Sequence, residues 1–73
     1  MTALEIVQVE ANRQTDPLYV FETLSEDIEI GTHKGDNNDN HEMSLEILHQ
    51  LELSDYHYEI SWISSVHIIF RKV

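Results

Sequence analysis

Residues 56–71 read Tyr-His-Tyr-Glu-Ile-Ser-Trp-Ile-Ser-Ser-Val-His-Ile-Ile-Phe-Arg. Tyr56, Tyr58, Ile60 and Trp62 alternate with His57, Glu59 and Ser61, and after the serines Val66, Ile68 and Phe70 alternate with His67, Ile69 and Arg71. Side chains of a strand point alternately to its two faces, so each half reads as a β-strand with one buried face. Joined at Ser64 and Ser65, the two form a hairpin, although no Asn-Gly or Gly-X pair fixes the turn type. On this reading Tyr56, Tyr58 and Trp62 belong to the core. Ile63 on the opposite face, with Ile69 and Val73, forms an exposed apolar patch.

Upstream the period changes. Met43, Ile47, Leu48 and Leu51 fall on one side of a 3.6-residue spiral while Glu42 and Glu46 lie off it, which predicts a helix over 41–53. Asp39 and Glu42 have the spacing of a capping box. Residues 31–40 contain both glycines and nothing apolar, and read as a loop. Asp27 to Gly31 alternates acid and isoleucine, a half-buried strand with Ile28 and Ile30 inward. Residues 18–24 make another strand, with Leu18, Val20 and Leu24 on one face and Tyr19, Phe21 and Thr23 on the other. Asn12 to Pro17 is a polar turn, in which Pro17 steers Asp16 toward extended backbone. Residues 3–11 are rich in β-branched types and are read as a strand, although Leu4, Val7 and Ala11 would also share one helical face. The resulting order is ββ(β)αββ: an α+β domain over 1–73, with a small antiparallel sheet of four or five strands and one helix packed on it.

A chain of 73 residues holds one modest core, worth roughly 3–5 kcal/mol of net stability. With 41% hydrophobic residues it still has the composition of a folded unit. It has no cysteine, hence neither disulfides nor thiolate metal ligands. Residues 1–24 lack the basic-then-apolar pattern of a signal peptide, and no run is long enough to span a membrane. A cytoplasmic location is the expectation, in the host cell if the source is viral.

Fourteen acids face four bases, for a formal charge of −10. All the acids lie from Glu5 to Glu59, where only Arg13 and Lys34 oppose them, leaving twelve excess negative charges (fourteen against two). Phosphate binding needs clustered Lys and Arg, so direct nucleic-acid and anionic-membrane partners are disfavoured. The complement of such a surface is a basic one.

Catalytic constellations are hard to assemble. The serines at 25, 44, 54, 61, 64 and 65 lack the Gly-x-Ser-x-Gly context of a nucleophile elbow, and Cys-His chemistry is excluded. His67 beside Ser64 and Ser65 fits an alternating strand position better than a base. Among so many carboxylates close pairs arise by chance, and a small domain offers little room for the cleft that would tune them. The expectation is a non-enzymatic protein without a cofactor. Asp36, Asn38 and Asn40 occupy positions one, three and five of a calcium loop, but position six is His41 where Gly is needed and position twelve is Ile47 where Glu is needed. A looser oxygen-ligand site, or a His33/His41 metal site, leaves a metal- or ligand-binding module centred on 33–42 as the alternative function. The histidines at 33, 41, 49, 57 and 67 read as surface residues. With Gly31 and Gly35 as the only glycines, there is no phosphate-cradling motif. The aromatics could stack single-stranded bases, but the basic groove this requires is missing.

In size, acidity and lack of catalytic residues the chain resembles small proteins made by bacterial viruses to disable or redirect host nucleic-acid machinery. These include DNA-mimic inhibitors of nucleases, glycosylases and CRISPR complexes, and RNA-polymerase-binding transcription regulators. Length and acidic α+β pattern resemble the last group most, which implies inhibition or antitermination through contact with host RNA polymerase. No motif carries this resemblance, so it transfers no residue. From the sequence itself the partner-contact candidates are Asp36, Asp39, Glu42 and Glu46, at a loop feeding a helix start. Acids there also offset the helix dipole with no partner involved, and Glu5 and Glu10 define an equally arguable face.

Overall fold

The computed structural model describes residues 1–33 and 37–73. Its order is α1 (Ala3–Gln14), β1 (Tyr19–Glu22), β2 (Ile28–Gly31), α2 (Asn37–Leu53), β3 (Tyr58–Ser64) and β4 (His67–Lys72). The strands form one antiparallel sheet in the order β1-β2-β4-β3. The α+β class and the four-stranded antiparallel sheet are as expected, but the chain runs αββαββ with two helices.

The added helix is segment 3–11, where a strand was expected. Its β-branched residues are overruled by spacing and by a cap. Ala3, Ile6, Val7 and Ala11 are buried on one face. Thr2 Oγ1 accepts from the Glu5 backbone N–H at 3.2 Å, while Glu5 Oε1 accepts from the Thr2 N–H at 2.9 Å. This reciprocal capping box satisfies two donors that a helix start leaves unpaired. The helix stops at Thr15, whose N–H reaches the Ala11 carbonyl. Asp16 follows with a φ of 53°, so it is left-handed rather than extended.

The second helix starts four residues earlier than expected. Asp39 is its third residue, inside the helix and not at its cap, so Asp39 and Glu42 do not form a capping box. Tertiary bonding explains the longer helix. Asn40 is buried, its Nδ2 donating to the Ser65 carbonyl at 2.6 Å and to Thr32 Oγ1 at 3.3 Å. Ser44 Oγ donates back to the Asn40 carbonyl. The far end closes in a Schellman arrangement: Tyr56 N–H bonds the Leu51 carbonyl, Asp55 N–H bonds that of Glu52, and Asp55 is left-handed at φ 63°.

Both helices cover the same face of the sheet. Val7, Met43, Ile47 and Leu51 meet Ile28, Ile30, Ile68 and Phe70 in the core. The helices run antiparallel, with Met1, Ile6 and Val9 beside Gln50 and Ser54. The β3–β4 hairpin turns at Ser65–Val66, with a bulge between Trp62 and Ser64. Tyr58 is buried as expected, but Tyr56 precedes the strand and is half-buried, and Trp62 lies at the sheet margin and is 45% exposed. The strand expected over 18–24 contracts to Tyr19–Glu22. Leu18 and Leu24 fall outside it and are exposed. Among the described residues no helix is long and apolar enough to cross a membrane.

Candidate functional site

The predicted acidic junction is partly visible. Asp36 lies outside the described residues, as does the side chain of Asp39, whose backbone is in the first turn of α2. Glu42 and Glu46, four residues apart, share one flank of that helix. Glu42 is exposed and has no hydrogen-bond partner among the described residues. Glu46 is half-buried, accepts from Gln50 Nε2 at 3.1 Å, and faces α1 near Arg13. The alternative pair, Glu5 and Glu10, is taken up by structure. Glu5 caps α1, and its hydrogen bonds from Thr2 hold its carboxyl below the ordinary value. Glu10 binds Arg13 at 2.6 Å, which raises the guanidinium's pKa.

Every described Lys and Arg is answered by a carboxylate. Besides Arg13, Lys72 Nζ contacts Glu26 at 2.5 Å, which raises its pKa, and Arg71 lies 3.9 Å from Asp27. Lys34 is outside the described residues. Exposed pairs of this kind contribute little to stability. Their consequence is electrostatic: the described bases are engaged, and the acidic excess meets no further internal counter-charge there.

A second surface is the sheet face turned away from the helices. The register places Tyr19, Gly31 and His67 in one row across it, and Phe21, Glu29, Ile69 and Ser61 in the next. Tyr19 and Phe21 remain 41% and 45% exposed. Their rings are 5.6 Å apart, and Tyr19 meets the His67 ring edge-on at 6.4 Å. The Tyr19 ring lies directly on Gly31, where a Cβ would come within 2.0 Å of it. His67 Nε2 bonds Glu29 Oε1 at 2.7 Å, with both side chains half-buried. Ile69 lies on this face as expected; Ile63, at the bulge in β3, and Val73, beyond β4, are exposed. The share of Tyr19 and Phe21 was missed. Alternation had put them on a common face, but only the sheet order shows that no helix covers it.

Between α2 and the hairpin turn lies a cavity of about 230 Å³ lined by Asn40, His41, Trp62, Ser64 and Ser65. The His41 ring stacks on Trp62, with centroids 4.6 Å apart and planes 20° from parallel. Asn40, a candidate calcium-loop position, spends its amide on the hairpin turn. Among the described residues no three His, Asp or Glu side chains come together as a metal-binding group.

No family model matches the chain, and neither a curated protein nor a solved structure shows significant similarity to it.

Proposed function

We propose that this chain is a non-enzymatic regulator or inhibitor that works by binding a protein with a basic surface. Host nucleic-acid machinery, RNA polymerase foremost, is the proposed partner. Proteins that track nucleic acid carry basic surfaces, and a strongly acidic domain complements them. The observation that carries the reading is the pairing pattern. Each described Lys and Arg already has a carboxylate partner, while the chain keeps a formal charge of −10. Glu42 and Glu46, with Asp36 and Asp39 toward the helix start, are the proposed contacts.

The test is affinity capture of a partner from bacterial lysate by the intact chain and by the double variant E42Q/E46Q. Intact protein should retain a discrete partner at low salt and release it as salt rises. The variant should bind about tenfold more weakly, as expected for two exposed ion pairs of up to about 1 kcal/mol each. Capture of nothing, or retention indifferent to salt, contradicts the reading.

A further inference from the structure

The sheet face opposite the helices has the chemistry of a cation-binding platform. Tyr19 and Phe21 present adjacent half-exposed rings, and the close seat of Tyr19 on Gly31 fixes where its ring lies. Aromatic faces attract guanidinium and ammonium groups through the ring quadrupole. In the neighbouring strand Glu29 commits one carboxylate oxygen, Oε1, to His67. Its other oxygen accepts no hydrogen bond among the described residues, and the side chain is 22% exposed. Ile69, in the same row, supplies apolar area beside the charge. A planar donor that can lie on a ring and bond a carboxylate at its edge is an arginine side chain.

Two copies of this chain make a poor fit for the face. A two-fold pairing of identical surfaces would bring Glu29 and Glu59 of one copy near the same acids of the other. Arg71, the described base on this face, is already bonded to Ser61 and lies 3.9 Å from Asp27, in a chain at −10. Charge complementarity selects a basic occupant. We infer that this face docks a protein segment in which arginines alternate with apolar residues, with a guanidinium laid against Tyr19 and Phe21 and bonded to Glu29. The inference rests on the proposed basic partner and adds a second surface, distinct from the flank of α2.

The probe is a short synthetic peptide alternating arginine and leucine, titrated into ¹⁵N-labelled protein. A control peptide carries citrulline, the uncharged counterpart, in place of arginine. Amide shifts should concentrate at Tyr19, Phe21, Glu29 and Ile69, and the citrulline peptide should leave them unmoved. Phe21→Ala removes a half-exposed ring and should weaken binding about fivefold, the scale of one exposed cation–π contact. Glu29→Gln should weaken it as well, while E42Q/E46Q should leave the shift pattern in place. Shifts confined to α2, or undiminished affinity in Phe21→Ala, overturn the inference and leave the basic-partner reading standing. Absence of any peptide binding overturns the inference, while the basic-partner reading stands or falls on the lysate capture. Movement of the same amides on simple dilution would assign the face to a second copy and overturn the inference too.

Discussion

Asn40, in the first turn of α2, holds the turn of the β3–β4 hairpin by donating its side-chain amide to the Ser65 carbonyl at 2.6 Å, 25 residues along the chain. The same amide reaches Thr32, whose own N–H bonds the Val66 carbonyl. One side chain therefore ties the helix start, the end of β2 and the hairpin together. Asn40→Ala removes both side-chain bonds and should cost about 1–2 kcal/mol. In a domain worth only roughly 3–5 kcal/mol, that is a large fraction. Thermal denaturation should show the midpoint falling by roughly 4–16 °C.

Asp55 has a left-handed backbone at the position after the α2 cap, where glycine carries no Cβ penalty. Its side chain contacts only His57 among the described residues, in an exposed pair at 3.1 Å. Asp55→Gly should therefore stabilise the fold by about 0.5–1 kcal/mol, read as a higher urea midpoint with an unchanged slope. A lower midpoint would mean that the Asp55–His57 pair outweighs the backbone relief.

Glu5 titrates below its ordinary value of 4.5 because it accepts hydrogen bonds from Thr2. A carboxyl lowered on folding adds stability that is fully present above its unfolded pKa and is lost as pH falls through its folded one. Glu5→Gln keeps an acceptor and removes the charge. The melting-temperature advantage of the native chain over this variant should hold from neutral pH down to about 5 and vanish below the folded pKa. Thr2→Ala, which deletes the cap acceptor, should cost about 1 kcal/mol at neutral pH.

Gly31→Ala tests the seat of Tyr19. The added Cβ would collide with the ring, a movable group on the open face, so the ring should lift while the fold survives. NMR should then show the loss of Tyr19–His67 contacts with the core resonances unmoved. Affinity for the arginine–leucine peptide should fall in parallel.

How much was legible in the sequence follows from how local each cause is. The β3–β4 alternation and the Met43–Ile47–Leu51 stripe depend on nearest-neighbour periodicity, and both appear where expected. Segment 3–11 reads as a strand because Ile6, Val7 and Val9 weigh that way, yet it is helical. The Thr2–Glu5 spacing, a valid capping-box signal, was the clue that would have corrected it. The same spacing at Asp39–Glu42 misled, since the helix is prolonged by the contact of Asn40 with a turn distant in sequence. Charge pairing was illegible for the same reason: Lys72 finds Glu26 only through the sheet. The exposed ring pair likewise depends on both helices packing on one face, which no local pattern states.

The central claim is electrostatic recognition of a basic protein partner, and it is tested most directly by titrating the full chain into purified bacterial RNA polymerase across a salt series. Binding should be measurable at low ionic strength and weaken more than tenfold as salt approaches about 1 M, where the screening length shrinks to about 3 Å. No binding at low salt, or an affinity that salt leaves unchanged, would contradict the account.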